Sequence, residues 1–87
     1  MKPERVRLFI KPGCGWCQEA RQWLDQRGIA YEAVDVTADR QAWDEMARLS
    51  GQIRAPVIEV DRDVLADFDV DQLAEFWHKL GADKSRQ

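Results

Sequence analysis

The spacing of apolar positions changes several times along the chain, and each change marks a new element. Val6-Arg7-Leu8-Phe9-Ile10 is a short run, apolar except at Arg7, that stops at Lys11-Pro12-Gly13. A run of this length between breakers reads as a strand, and near-continuous apolarity suits a central strand covered on both faces. From Gly15 or Trp16 to Arg27 the period becomes helical. Ala20, Trp23 and Leu24 form one stripe with Cys17 on the same side, and Gly28 stands where a left-handed cap belongs. Ile29 to Val36 returns to strand character through Ile29, Tyr31, Val34 and Val36. Thr37 or Asp39 then opens a second helix over 40–49. Ala42, Met46, Ala47 and Leu49 face its core side, Trp43 lies at the margin, and Ser50-Gly51 ends it.

Gln52-Ile53-Arg54-Ala55-Pro56 is a connector. Two strands follow, Val57 to Val60 and Val64 to Ala66, joined by Asp61-Arg62-Asp63, a tight turn without the glycine such turns favour. Asp69 reads as an N-cap, with Gln72 three residues on completing a capping box. The last helix covers 70–80 with an apolar stripe of Val70, Leu73, Ala74, Trp77 and Leu80, and Gly81 is expected to end it. The order β-α-β-α-β-β-α predicts an α/β domain over residues 1–81. Helices cover both faces of a small four-stranded mixed sheet whose first two strands are parallel. Residues 82–87 form a polar tail, expected to fray.

A length of 87 residues supports one domain with a small core. The net charge of -3 is spread without a basic patch, which argues against a nucleic-acid partner. No apolar run approaches the ~20 residues of a membrane span. Met1 to Arg5 leads straight into the first strand without a signal-peptide core, so no membrane partner and a cytoplasmic location are expected. In a reducing compartment a single cysteine pair reads as catalytic before it reads as a structural staple.

That pair is Cys14-Gly15-Trp16-Cys17, between the first strand and the first helix. Such a pair reads as a dithiol redox site. Two intervening residues put one thiol at the first helical turn and the other a turn later, close enough for a disulfide. The first thiol then sits among unpaired backbone N–H groups at the positive end of the helix dipole. This setting favours thiolate, the nucleophilic form, and lowers thiol pKa values in such motifs to roughly 3.5–7.5. The alternative is two inert core cysteines, against which stand the flanking breakers and the helix start. Zinc is short of ligands, since the chain adds only a distant His78 to the two cysteines. Lys11 and Arg54 have an alternative as solvated charges, Pro56 as a loop proline, and Asp69 as a cap alone. Trp23 and Trp77 read as core, and Trp16, between the cysteines, as exposed.

Over residues 5–80 the sequence resembles the glutaredoxins of the thioredoxin-fold superfamily. The resemblance rests on Lys11-Pro12-Gly13-Cys14-Gly15-Trp16-Cys17, Ser50-Gly51-Gln52, Ala55-Pro56 some 40 residues beyond the cysteines, and Phe68-Asp69. It implies a cis peptide at Ala55-Pro56 facing the cysteines. It also implies thiol–disulfide exchange, with Cys14 attacking and Cys17 or glutathione resolving. The substrates would be glutathione mixed disulfides or protein disulfides. Glutathione would serve as reductant without a metal, acting on a monomer, and thioredoxin reductase is the other electron source. Carried over by position, Lys11 and Trp16 would flank glutathione, and the backbone at Ala55-Pro56 would pair with its cysteine. Gln52 would reach the glycine carboxylate, Arg54 would add a cation, and the Phe68 backbone and Asp69 would meet the γ-glutamyl end. An alternative within the family is an iron–sulfur cluster held by Cys14 of two chains with two glutathiones. Three departures stand out: Gly15 replaces a proline, Arg54-Ala55-Pro56 replaces Thr-Val-Pro, and Ala66-Asp67 replaces Gly-Gly. Asp67 is expected to crowd the glutathione groove and add negative charge to it.

Overall fold

A computed structural model of the protein describes the backbone of residues 3–84 and the side chains of residues 3–81. Seven elements follow in the predicted order: β1 (Val6–Ile10), α1 (Gly15–Gln26), β2 (Glu32–Asp35), α2 (Arg40–Ser50), β3 (Val57–Val60), β4 (Asp63–Ala66) and α3 (Val70–Lys84). The strands make one mixed sheet in the order β2-β1-β3-β4. β1 runs parallel to β2 and antiparallel to β3, and β4 forms an antiparallel hairpin with β3. No helix among the described residues is long and apolar enough to cross a membrane.

Side chains alternate across each strand, so each face of the sheet builds its own core. Val6 and Leu8 lie opposite Val60 and Ile58. On that face they pack under Ala20, Trp23 and Leu24 of α1 and Leu73 and Leu80 of α3. Phe9 pairs with Val57 on the other face, under Ala42 and Met46 of α2. The Trp23 and Trp77 rings meet edge to face with centroids 6.1 Å apart, joining α1 to α3.

Arg7, the one polar residue in the β1 run, is 7% exposed. The register accounts for it, because Arg7 lies directly opposite Glu59 on the α2 face. Its Nε donates to Glu59 Oε1 at 2.7 Å, and its two terminal nitrogens donate to the two Glu45 oxygens at 2.8 Å each. The guanidinium also stands 5.1 Å from the centroid of the Phe9 ring. Hydrogen bonds from Arg7 hold the Glu45 carboxyl below its usual range.

Several boundaries differ from the sequence expectation by a residue or more, and three of them have a definite physical cause. β2 begins at Glu32 rather than Ile29, because Ile29 is taken up by the end of α1. Gly28 is left-handed at φ 66, its N–H donates to Asp25 O, and the Ile29 N–H donates back to Leu24 O at 3.0 Å. This is a Schellman closure, and the Ile29 side chain packs against the core that contains Leu24. β4 begins one residue early, at Asp63, because Val60 pairs with Asp63 across a two-residue turn. Asp61 takes φ 55 there in place of the absent glycine, a conformation aspartate tolerates. Its Oδ1 accepts the N–H groups of Glu4 and Arg5 at 3.0 and 2.9 Å. Finally, α3 does not stop at Gly81 but runs on to Lys84. Glycine costs a helix about 1 kcal/mol against alanine, and with no proline following, that is too little to break it. The expected polar tail is thus helical over 82–84, and 85–87 lie outside the described residues.

Replacing Arg7 strips two carboxylates of their shared partner. We expect Arg7→Met to lower stability at pH 7 by about 3 kcal/mol in chemical denaturation. Because the folded-state pKa of Glu45 is depressed, its contribution is present above the ordinary value of about 4.3 and is lost as the pH falls through the folded one. The gap between wild type and Arg7→Met should therefore narrow on acidification below that point.

Candidate active site

β1 ends at Ile10, and the chain turns through Gly13 at φ 76 to begin α1. Glycine takes that φ without steric cost, so the turn sets where the helix starts. Cys14 is the N-cap, extended at φ -88 and ψ 113, and its Sγ accepts the Cys17 N–H at 3.1 Å. The sulfur stands where a serine or aspartate oxygen usually caps a helix, facing the open N–H groups of the first turn. A Cβ at Gly15 would meet nothing within 4 Å, so the first turn is open beside Cys14.

The two thiols are free and unequal. Cys14 is half-buried, whereas Cys17 is 1% exposed in the core face of α1. Burial pushes the Cys17 thiol up to about 12, the Cys14 sulfur adds to the shift, and the Lys11 backbone N–H opposes it.

The facing wall is the connector between α2 and β3. The Ala55-Pro56 peptide is cis, as the resemblance implies, and the Ala55 carbonyl oxygen lies 3.9 Å from Cys14 Sγ. This backbone belongs to no helix or strand, yet its polar groups find partners. Lys11 Nζ donates to Ile53 O at 2.6 Å and stands 4.6 Å from the centroid of the Trp43 ring. The Arg54 N–H donates to Gln52 Oε1 at 2.6 Å, and Gln52 Nε2 donates to Arg54 O at 3.0 Å. Gln52 Nε2 also donates to Ser50 Oγ at 2.9 Å. Pro56 O accepts the Asp67 N–H at 2.8 Å.

Lys11, Trp16, Ala55 and Pro56 thus adjoin the cysteines, while the Gln52 amide is engaged within its own loop. Trp16 at 46% and Ile53 at 52% are the exposed large hydrophobic residues among those described. They sit two positions from Cys14 and from Ala55. Arg54 pairs with Asp67 at 3.7 Å, and Asp67 is left-handed at φ 52, where the resemblance places a glycine. The Phe68 side chain is buried in the core, so only its backbone is available to a ligand. Asp69 and Gln72 form the expected capping box: the Gln72 N–H donates to Asp69 Oδ1 at 2.9 Å, and the Asp69 N–H donates to Gln72 Oε1 at 3.0 Å. Sequence reasoning counted Ser50 only as part of the Ser50-Gly51-Gln52 stretch and Trp43 only as a marginal helix residue, and it assigned neither the supporting contact it makes.

Among the described residues, no group of three or more His, Cys, Asp or Glu side chains is placed to hold a metal ion. One chain offers one reachable thiol, so an iron–sulfur cluster would need a second chain and two glutathiones to supply the four thiolates it usually takes. Within one chain the arrangement suits sequential sulfur chemistry, with one thiol half-buried at the helix start and a second held protonated behind it.

The glutaredoxin family model matches residues 6–65, from the first strand into the fourth. The chain is 30% identical over 73 residues to the glutaredoxin-like 8.6 kDa protein of the rubredoxin operon in Clostridium pasteurianum. That match covers 80% of this chain and 97% of the relative. Among solved structures, a glutaredoxin from Brucella melitensis superposes with a TM-score of 0.70 at 24% identity, covering 94% of this chain and 89% of the other. The glutaredoxin-like NrdH-redoxin from Escherichia coli gives a TM-score of 0.69 at 21% identity, covering 82% and 92%. The mixed sheet with three helices is the thioredoxin fold of these proteins. On the family match and the relative together, this chain belongs to the glutaredoxin family.

Proposed function

We propose that the protein is a thiol–disulfide oxidoreductase in which Cys14 attacks and Cys17 resolves. The observation that carries this reading is the asymmetry of the pair: Cys14 half-buried at a helix N-cap, Cys17 buried and held protonated one turn behind it. In the first step the Cys14 thiolate attacks one sulfur of a substrate disulfide. A Cys14–substrate disulfide forms, and the other substrate sulfur leaves as a thiolate that takes a proton from water. In the second step Cys17 gives up its proton and attacks the Cys14 sulfur. This closes a Cys14–Cys17 disulfide and releases the remaining substrate thiol. Two electrons pass from the dithiol to the substrate. Two of the causes that raise Cys17 come from the Cys14 sulfur itself. The part due to charge on that sulfur lapses once it is held in the mixed disulfide, while the larger cause, burial, remains.

Glutathione mixed disulfides and protein disulfides are the substrate classes, with glutathione as co-substrate and reductant and the cytoplasm as the compartment. For glutathione, the supporting surfaces are Lys11 and Trp16 on one side, the Ala55-Pro56 backbone, and the Phe68 backbone at the start of α3. For protein disulfides, support comes from Trp16 and Ile53, which give the rim of the site an apolar character suited to the flanks of a polypeptide.

We expect Cys14→Ser to abolish disulfide reduction and Cys17→Ser to keep part of the glutathione-dependent rate, in an assay that compares glutathione with glutathione reductase against thioredoxin reductase. Equal and complete loss in both variants would remove the monothiol route. Asp67→Gly relieves a left-handed aspartate and removes a carboxylate from the groove, so glutathione should bind several-fold more tightly by calorimetry. An unchanged affinity would retire that role for Asp67. Cys17 also sets an alkaline limit. Its folded-state pKa lies above that of a free thiol, about 8.5, so its contribution to stability is complete below that pH. It is lost as the pH climbs toward the folded value of about 12. Reduced wild type should therefore lose stability relative to Cys17→Ser across that window in pH-resolved denaturation.

A further inference from the structure

The connector facing Cys14 has an alternation in how its polar groups are spent. The N–H and the C=O of Arg54 both reach one side-chain amide, that of Gln52, at 2.6 and 3.0 Å. A single residue can aim both groups at one partner only when its backbone is extended, since in a helix they point in opposite directions along the axis. The donor and acceptor pattern also fixes the amide: Oε1 must face the Arg54 N–H, and Nε2 must face the Arg54 carbonyl and Ser50 Oγ. Ala55 precedes Pro56, which restricts it to extended backbone as well. In extended chain, successive residues present their N–H and C=O to opposite edges. Gln52 occupies the Arg54 edge, so the Ala55 groups lie on the other one. The Ala55 carbonyl, 3.9 Å from Cys14 Sγ, is on that edge, and among the described residues no hydrogen bond uses the Ala55 N–H.

We propose that Gln52 is a positioning residue: its amide acts as a one-residue surrogate strand on the far edge of Arg54 and thereby presents the Ala55 N–H and C=O, beside Cys14, to the backbone flanking a substrate disulfide. This rests on the exchange reaction proposed above. The anchor for the surrogate is the end of α2. Ser50 Oγ, which accepts from Gln52 Nε2, lies 2.7 Å from Met46 O in the last turn of α2, and Met46 is fully buried. The amide thus holds Arg54 within the loop with two of its hydrogen bonds and, with the third, ties it through Ser50 to the last turn of α2. Lys11 Nζ holds Ile53 O from the opposite element, which leaves Ala55 as the residue whose backbone faces a visiting chain. A substrate that carries a peptide backbone gains from this rail, whereas a small disulfide without one does not.

The test is single-turnover oxidation of the reduced protein, followed by tryptophan fluorescence, with two oxidants. One is a disulfide-linked peptide with extended flanks, and the other is bis(2-hydroxyethyl) disulfide. The quantity read is the ratio of the two second-order rate constants. Gln52→Met keeps the side-chain length and removes all three hydrogen bonds of the amide. Gln52→Glu keeps an acceptor for the Arg54 N–H but loses the donor for Arg54 O. Two lost backbone hydrogen bonds should lower the peptide-to-small-disulfide ratio about tenfold in Gln52→Met, with a smaller fall in Gln52→Glu. A ratio that stays at the wild-type value in both variants overturns the positioning role, even if both rates fall together. Wild type that reacts with neither disulfide overturns the exchange reading and this inference with it.

Discussion

A stretch of backbone that lies outside every helix and strand must still satisfy its hydrogen bonds, and here that stretch forms one wall of the site. Residues 53–56 run past the Cys14 sulfur, and their carbonyls and N–H groups are shared out to four parts of the molecule. Lys11 reaches them from the end of β1, Gln52 from within the loop, Asp67 from beyond β4, and the cysteine helix faces what remains. A surface loop without such partners would move, and the sulfur would have no fixed wall to work against. The placing of one side of the cleft against the other depends on this distribution, because the two sides come from segments some 40 residues apart in sequence.

The scaffold beneath achieves the same economy with charge. The central strand carries an arginine where an apolar residue would be easy to place, and the neighbouring strand and α2 supply one glutamate each to meet it. Such a group is poor at raising stability over a hydrophobic replacement, but it is demanding about geometry. Only one register of β1 against β3 puts Arg7 across from Glu59. A slip by one residue would put Arg7 on the face covered by α1 and α3, away from both carboxylates. The α1 and α3 face is instead held mainly by aromatic and aliphatic packing, with the Arg27 guanidinium 3.9 Å from the centroid of the Trp23 ring. The face of the sheet that carries the cysteine helix is thus the apolar one, and the ionic one lies behind it under α2.

How much of this could be read from the sequence divides along the line between local and distant causes. The strands, the helices and their order follow from periodicity and from Pro12, Gly13, Gly28 and Gly51, whose effects reach no further than the next turn. The capping box of Asp69 and Gln72 is equally local, three residues wide, and needs no tertiary knowledge. The cysteine pair announces its chemistry by spacing and by its place between strand and helix. Arg7 is an exception in an apolar run with no local reason for it, because its partners are brought to it only by sheet register and by the docking of α2. Lys11, Ile53 and Trp43 meet across three separate segments, and nothing in the neighbourhood of any of them points to the others. The helix running past Gly81 shows the reverse error: a local signal was present, but its cost of about 1 kcal/mol is small beside the cooperativity of a helix already formed.

One atom in this fold holds two appointments. The sulfur that opens α1 is the acceptor closing the first turn of that helix, and it is also the atom that faces the cleft. Whatever becomes bonded to it competes with the Cys17 amide for the same lone pairs. The start of the helix therefore registers the bonding state of its own first residue, so that amide, rather than any distant segment, is where a resonance spectroscopist would first see the molecule change hands.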